Sequence, residues 1–213
     1  MFALIISVLL IVVVSFLIVV ARIHPENNDH INKDFLKDCV YIDTETTGLS
    51  RRDRIVEISA IRIRGNQIVD SFNEMVNPHM HIKKGASEVS KITDEMVMGM
   101  PDFASIQDRF LLFIGSDILV GHNIRFDLEF MERELGRPLQ NPVFDSMQLA
   151  KMVVIDIDNY RLTTLCRKFR LPEQNHRGLT DAALTFRVVQ EMKALAAKKK
   201  ILLGSKFGAS LSK

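Results

Sequence analysis

Four acidic residues, from three segments of this chain, stand at positions where their carboxylates could bind metal ions together. Asp43 and Glu45 end a short apolar run, and alternate side chains of a strand point to the same face. Asp127 lies at the start of a predicted helix, and Asp181 opens the last predicted helix. Carboxylate ligands without cysteine suit Mg²⁺ or Mn²⁺ rather than Zn²⁺. Each acid also has a simpler explanation, because helix caps and surface acids are common.

His176 is the candidate proton acceptor beside these acids. It precedes Asp181 by five residues, a spacing that excludes a shared helix face and predicts His176 on the preceding loop, next to a bound substrate. Histidine is the side chain best suited to take up a proton near neutral pH. A calcium loop starting at Asp43 is excluded because its twelfth position is Arg54 instead of Glu. The chain also has no GxxxxGK or HExxH motif.

Three motifs follow one another in the order of a known nuclease group. Tyr41–Leu49 reads YIDTETTGL, His122–Asp127 reads HNIRFD, and His176–Asp181 reads HRGLTD. Before the third motif stands Asn159–Cys166, NYRLTTLC. The set resembles the DEDDh group of 3′→5′ exonucleases, of the type found in the proofreading epsilon subunit of DNA polymerase III. The resemblance covers about residues 38–195.

The resemblance implies a two-metal nuclease site. Its four acids would bind two Mg²⁺ or Mn²⁺ ions: Asp43, Glu45, Asp127 and Asp181. Such ions offset the repulsion among the carboxylates and clamp the attacking and leaving oxygens of a phosphodiester. Glu45 and His176 are the implied catalytic residues, with His176 taking the proton of the attacking water. The products would be nucleoside 5′-monophosphates.

The resemblance also implies residues that hold the substrate. Thr46 and Leu49 match positions that hold the terminal nucleotide in the family. The second motif adds His122, Asn123 and Phe126. Turn formation is the simpler explanation for the first pair, and core packing explains Phe126 equally well.

Two departures from the family pattern concern the substrate side of the site. Ser90–Thr93 reads SKIT where the family often has HGIT, which alters one expected substrate contact. Gly178 replaces a usual alanine, and the extra backbone freedom of glycine predicts a looser loop between His176 and Asp181. Neither departure removes a metal ligand.

The elements that must position these residues alternate along the chain and predict one α/β domain. The predicted strands cover residues 39–43, 54–64, 67–76, 118–120 and 143–144. The predicted helices cover residues 104–113, 126–135, 146–153, 162–169 and 180–195. Gly65-Asn66 is a hairpin turn signal. With the resemblance, these elements imply a ribonuclease-H-like exonuclease fold, with a mixed five-stranded sheet flanked by helices and Asp43 on a central strand.

Composition divides the 213-residue chain into two unlike parts. Residues 1–21 carry no charged side chain, so all 28 basic and 26 acidic residues follow them. Twenty helical residues span about 30 Å, the thickness of the bilayer hydrocarbon. The predicted organisation is a transmembrane helix at 1–22, a polar linker at 23–37, an exonuclease domain at 38–197 and a basic tail at 198–213. The tail either complements a helix C-terminus or attracts anionic lipid or nucleic acid.

The apolar segment predicts a single-pass anchor. A cleaved signal peptide is the alternative, but no basic residue precedes the run, which exceeds the usual ~7–15 residues. Arg22, Lys33 and Lys37 follow it, and the positive-inside rule then predicts a catalytic domain facing the cytoplasm, at a bacterial inner membrane. Cys39 and Cys166 form no disulfide framework, in agreement with a reducing compartment.

The function predicted from these observations is that of a membrane-anchored, metal-dependent 3′→5′ exonuclease acting on the 3′ end of nucleic acid. Single-stranded DNA is the favoured substrate, because the DTETTG form is most like the DNA-proofreading branch. An exoribonuclease of the same family is the alternative, and a polymerase or repair protein is the expected partner. A catalytically silent module that tethers nucleic acid or a polymerase to the membrane is the rival class. The complete set of acids and histidine argues against that class.

Overall fold

The computed structural model of this chain describes residues 34–201 and 203. Its strands are β1 (Cys39–Thr46), β2 (Ile55–Arg64), β3 (Gln67–Met75), β4 (Leu119–Gly121) and β5 (Val143–Asp145). Its helices are α1 (Lys84–Ser90), α2 (Asp94–Val97), α3 (Phe103–Ile114), α4 (Arg125–Leu135), α5 (Ser146–Val153), α6 (Leu162–Lys168) and α7 (Gly178–Lys198). The predicted alternation of strands and helices is confirmed.

The strands form one mixed five-stranded sheet in the order β3-β2-β1-β4-β5, as predicted. β1, β2 and β3 are antiparallel neighbours, whereas β4 runs parallel to β1, and β5 runs parallel to β4. β4 is only three residues long and pairs with β1 at Val40 and Tyr41. Beyond Tyr41, β1 therefore has no strand beside it on that edge within the described residues. Asp43 and Glu45 lie in this part of the central strand.

Helices cover both faces of the sheet, and alternate side chains of β1 enter two different cores. Cys39 and Tyr41 belong to the core shared with α5, α6 and α7, while Val40 and Ile42 belong to the core shared with α3 and α4. By this alternation Asp43 continues the face that α7 covers. The sheet therefore directs its acids toward the N-terminal end of α7.

Some elements differ from the predicted ones. β1 continues to Thr46 because its pairing with β2 persists to a β-bulge after Glu45. α7 begins at Gly178, two residues before the predicted start. Helices α1 and α2 were not predicted, because seven and four residues are too few to show a helical period. The predicted hairpin turn at Gly65 and Asn66 is confirmed by their positive φ angles of 57° and 63°.

The predicted transmembrane helix at 1–22 and most of the basic tail lie outside the described residues. Within residues 34–201 and 203, no helix has the length and apolar character needed to cross a bilayer. The boundaries of the predicted segments therefore stay predictions. Cys39 and Cys166 are both buried free thiols.

Candidate active site and metal centre

Asp43 and Glu45 form one side of the candidate site, and β2 lies directly opposite them. The strand register pairs Asp43 with Ser59 and Glu45 with Glu57. A β-bulge follows Glu45, where the pairing with β2 shifts by one residue. Bulges of this kind re-aim side chains beside active sites. The end of β1 thus presents two acids in one direction.

Asp127 is brought to β1 by Thr44. Its Oδ1 accepts hydrogen bonds from the backbone N–H of Thr44 at 2.9 Å and from its hydroxyl at 2.7 Å. The N–H is available because β4 ends at Gly121 and pairs only with an earlier part of β1. Asp127 is buried in the first turn of α4, whose N-cap is Ile124, so the helix-cap explanation does not apply.

Asp181 is the fourth acid of the group. It lies in the first turn of α7 and is 1% exposed. Its Oδ2 accepts a hydrogen bond from Nε2 of Gln174 at 2.6 Å and lies 4.0 Å from Nδ1 of His176. Its Oδ1 is buried with no hydrogen-bond partner among the described residues. A buried carboxylate oxygen without a partner is costly unless a ligand satisfies it. Glu45, His176 and Asp181 each present one ligand atom, and these atoms lie within 4.8 Å of one another.

The acids make one another harder to ionise. The pKa of Asp43 lies well above its usual range because of burial and then of four nearby carboxylates: Asp127, Asp181, Glu45 and Glu57. Burial and then the charge of Asp181 raise the pKa of Glu45 to about 8. Burial raises the pKa of Asp127 to about 7 and also raises that of Asp181. Two unit charges about 5 Å apart repel by about 3 kcal/mol at an effective dielectric near 20, which a cation between them would offset.

Thr46 and Leu49 lie on the turn that follows β1. The hydroxyl of buried Thr46 donates a hydrogen bond to the carbonyl of Gly48 at 2.7 Å, so this side chain shapes the turn. Leu49 is 85% exposed, although it is a large apolar side chain. The turn therefore presents one apolar side chain to the solvent beside the acids.

Asp53 stabilises this turn through hydrogen bonds from within it. This residue was not identified from the sequence. It is 0% exposed, and its carboxylate accepts hydrogen bonds from the backbone N–H and hydroxyl of Ser50, the hydroxyl of Thr47 and Nζ of Lys83, at 2.7–3.1 Å. Burial raises the pKa of this carboxyl, but hydrogen bonds from Lys83, Ser50 and Thr47 outweigh it and hold the pKa below the usual range. A Cβ at Gly48 would lie 2.7 Å from Oδ2 of Asp53, so the turn requires glycine there.

His122 uses both of its ring nitrogens within the protein. Nδ1 shares a hydrogen bond with the hydroxyl of Ser146 at 2.9 Å, and Nε2 shares one with the carbonyl of Tyr160 at 2.7 Å. Burial lowers the pKa of this imidazole. The residue therefore ties the end of β4 to the segment Asn159–Cys166.

Asn123 lies in the loop between β4 and α4, and Phe126 lies in the first turn of α4. Asn123 is exposed, adopts a φ of 66° and donates its backbone N–H to Oδ1 of Asp145 at 3.0 Å. Phe126 is half-buried, with its ring centroid 4.8 Å from that of Phe130. Packing on Phe130, one turn later in the same helix, thus accounts for part of the burial of the Phe126 ring.

Glu57 is a further acid beside the site that the sequence analysis missed, although a charge within the apolar run IVEISAI was a signal. It is 1% exposed and binds Arg177 and the backbone of Gly178. The looser loop predicted from Gly178 is wrong. A Cβ at this position would lie 2.4 Å from Oγ of Ser59, so glycine is required for close packing instead.

Comparison with known proteins agrees with this geometry. A family model described as Exonuclease (RNase_T) matches residues 40–189. The PolC-type DNA polymerase III of Bacillus subtilis strain 168 is 37% identical over 169 residues, which are 76% of this chain and 12% of that protein. The PolC-type DNA polymerase III of Clostridium perfringens is 34% identical over 168 residues, with the same coverage. The chain thus spans about an eighth of the length of these relatives.

Solved structures with the same fold include exonuclease X in complex with 5′ overhanging duplex DNA. That protein is 25% identical, with a TM-score of 0.62 over 76% of this chain and 96% of the other. Escherichia coli exonuclease I in complex with a dT13 oligonucleotide has a TM-score of 0.68 at 18% identity, over 76% of this chain and 42% of the other. The predicted ribonuclease-H-like exonuclease fold is confirmed by these matches. Because the family model spans most of the domain, the chain belongs to the RNase_T exonuclease family of DEDD-type nucleases.

Proposed function

We propose that this protein is a metal-dependent 3′→5′ exonuclease of the DEDDh type, which shortens DNA and releases nucleoside 5′-monophosphates. The observation that carries the proposal is the buried Oδ1 of Asp181, which has no hydrogen-bond partner among the described residues. It belongs to a group of acids that raise one another's pKa, and His176 lies beside it. Membership of the exonuclease family supports the same reading.

The residues of the site fit two divalent ions, Mg²⁺ or Mn²⁺. The proposed ligands are Asp43, Glu45, Asp127 and Asp181. Their hard oxygen atoms suit such ions, and Oδ1 of Asp181, which has no hydrogen-bond partner within residues 34–201 and 203, is available as a ligand atom. When bound, two divalent ions stabilise the attacking and leaving oxygens of an in-line phosphodiester displacement.

His176 is the proposed proton acceptor for the attacking water. Its Nδ1 faces Asp181 at 4.0 Å, and the side chain is 41% exposed, so a water molecule at the substrate can reach the ring. A neighbouring carboxylate stabilises the imidazolium that forms when the proton is taken up. Glu45, within 4.8 Å of both residues, completes the proposed catalytic group.

The proposed substrate contacts surround the acids. Exposed Leu49 packs against the terminal base, and Thr46 shapes the turn that presents Leu49. Asn123 precedes α4 and Phe126 lies in its first turn, next to Asp127 in the sequence. His122, whose nitrogens are both engaged, contributes by holding the second motif in place.

DNA is the proposed substrate, and a DNA polymerase or a repair protein is the proposed partner. The relatives at 37% and 34% identity are PolC-type DNA polymerases III, and exonuclease X binds duplex DNA. These likenesses support DNA over RNA and a polymerase over other partners.

The test uses the full 213-residue chain, purified in detergent. DNA and RNA oligonucleotides of matched sequence, labelled at the 5′ end, are incubated with Mg²⁺, Mn²⁺ or EDTA. We expect a ladder that shortens from the 3′ end, faster on DNA, absent in EDTA and absent for Asp43→Asn. Faster shortening of RNA would support the exoribonuclease. Oligonucleotide binding without shortening by the folded protein would support the silent tether.

We also propose that residues 1–22 anchor the protein as a single-pass helix in a bacterial inner membrane, with the catalytic domain in the cytoplasm. The proposal rests on the uncharged run and on the basic residues after it. Arg in place of both Val12 and Val13 costs about 2.5–3.5 kcal/mol per residue at a helix centre. The Arg variant is expected to leave the membrane pellet, while the matched Leu variant stays there. A retained Arg variant would point to the basic tail as the membrane contact.

A further inference from the structure

Glu57 occupies a costly position in the sheet. It lies opposite Glu45 in the β1–β2 pair, on the same face, and like charges placed directly opposite each other are destabilising. It is also 1% exposed, so its charge is shielded from water. Glu57 therefore requires strong partners within the protein.

Among the described residues, the donors to the Glu57 carboxylate are the two residues that follow His176. Oε1 accepts from Nη2 of Arg177 at 2.8 Å, while Oε2 accepts from Nε of Arg177 at 3.3 Å and from the N–H of Gly178 at 3.0 Å. A forked guanidinium–carboxylate pair fixes orientation as well as distance. The segment just after His176 is thus tied to β2 at two consecutive residues.

Glu57 also serves as the cap of α7. The N-cap residue of this helix, Arg177, makes no side-chain cap hydrogen bond, and the first helical N–H, at Gly178, donates to Glu57 instead. A carboxylate at a helix N-terminus is favoured by the helix dipole. Gly178 permits this approach because a Cβ would lie 2.4 Å from Oγ of Ser59.

His176 needs such support because its own backbone is strained. Its φ of 53° lies in the left-handed region, which non-glycine residues adopt only when their surroundings impose it. The segment directly after His176, Arg177–Gly178, is held by Glu57 and is in place to impose this constraint. Released from β2, His176 would relax toward an ordinary φ and turn its ring away from Asp181.

We propose that Glu57 is the positioning residue of His176: by holding Arg177 and Gly178 on β2, it keeps the imidazole beside Asp181. The inference rests on the proposed function, in which His176 accepts the proton of the attacking water. Glu57 itself touches neither that proton nor the substrate. Its oxygens are engaged by Arg177 and Gly178, so it serves as a support for the loop.

The test is a double-mutant cycle on the full chain with Glu57→Gln and His176→Ala. Glu57→Gln is expected to lower kcat about 10- to 100-fold, the range expected when a catalytic group is misplaced by about 1 Å. KM for the oligonucleotide and the half-saturating Mg²⁺ concentration should change less than about threefold, because Glu57 binds neither. His176→Ala alone should lower kcat by about 10²–10⁴-fold.

The double variant is expected to be no slower than His176→Ala, since a residue that acts through His176 has no effect once His176 is gone. If the kcat losses of the two single variants multiply in the double variant, the proposal is overturned. It is also overturned if a higher half-saturating Mg²⁺ concentration accounts for the whole loss of activity in Glu57→Gln. Glu74→Gln is the matched control, because it neutralises a Glu–Arg pair between β3 and α3, where Arg109 contacts Glu74 at 2.8 Å. This control should retain full kcat.

A second measurement separates this inference from the proposed function. Hydrogen exchange of the Gly178 amide, followed by NMR on the full chain, should be protected in the wild type and fast in Glu57→Gln. Protection that persists in the variant would refute the positioning role whatever the activity. A protected wild-type amide in a protein that degrades no nucleic acid would refute the proposed function and leave the loop support intact.

Discussion

Two groups of residues hold acids in opposite electrostatic states: Asp53 with its donors, and Asp43 with the carboxylates around it. Asp53 is surrounded by hydroxyl, amide and ammonium donors, and its pKa lies below the usual range. Asp43 and its neighbours face other carboxylates, their pKa values are raised, and one oxygen of Asp181 has no partner among the described residues. The comparison separates the two uses of a buried charge. A carboxylate with a full set of donors stabilises the fold, whereas carboxylates that face one another and leave an oxygen without a donor favour the binding of cations in the proposed site.

Asp43→Asn should produce the largest effect and separates activity from stability. We expect turnover to fall by about 10³-fold or more, because losing a proposed metal ligand would remove several kcal/mol of transition-state stabilisation. In EDTA at pH 8 the same variant should melt at a higher temperature than the wild type, since one repelling charge has been removed. Oligonucleotide shortening and thermal melting measure the two quantities. Asp70→Asn, on exposed β3, is the matched control and should change neither. Retained turnover together with a lower melting temperature would contradict the comparison.

Asp53→Asn should act in the opposite direction. The amide brings a donor toward groups that already donate, which should lower the free energy of unfolding by about 1–3 kcal/mol. For a domain of this size each kcal/mol corresponds to about 2–4 °C in Tm. Turnover per folded molecule should fall far less than for Asp43→Asn. Chemical denaturation beside the activity assay checks this, and an unchanged Tm would show that the donors around Asp53 are not needed for stability.

Gly178→Ala tests how closely α7 must approach the acids. A Cβ would lie 2.4 Å from Oγ and 2.9 Å from Cβ of Ser59, and such overpacking costs about 1–3 kcal/mol. Turnover should fall as well, because the shifted helix start carries His176 and Asp181. Ser59→Gly removes both clashing atoms, so the double variant should recover stability and turnover relative to Gly178→Ala. Additive losses in denaturation and activity assays would mean that the two residues do not share one contact.

The two groups should also give opposite pH dependences of stability. In EDTA, carboxyls with raised pKa values favour folding at low pH, and this contribution is lost as the pH rises from about 4 through the values of about 7 for Asp127 and about 8 for Glu45. The lowered pKa of Asp53 contributes stability above about pH 4, lost only as the solution becomes more acidic. Melting curves from pH 3 to 9 measure both trends. Mg²⁺ should remove the decline above pH 6 in the wild type but not in Asp43→Asn, and a Mg²⁺-independent decline would argue against a metal site.

Much of the fold and part of the candidate site could be predicted from the sequence. Asp43 and Glu45 stand two residues apart on a strand, so the period of the strand alone places them together. The hairpin at Gly65 and Asn66 is encoded in two adjacent residues whose positive φ angles the structure shows. Helices α1 and α2 were not predicted from the sequence because they are shorter than the window in which helical periodicity can be recognised.

The order of the elements and the exonuclease motifs can be recognised in the chain itself, because periodicity and motifs are local properties, and the motifs in turn imply the mixed sheet. Which acids have hydrogen-bond donors and which lack them depends on the folded structure. Glu57 meets Arg177 across 120 residues of sequence, and Asp127 meets Thr44 across 83. Gly178 predicted a looser loop, but the structure shows that glycine is required there because Ser59 packs against it. The burial and the hydrogen-bond partners of a carboxyl arise from contacts between distant segments, and those contacts set the free energy of its ionisation.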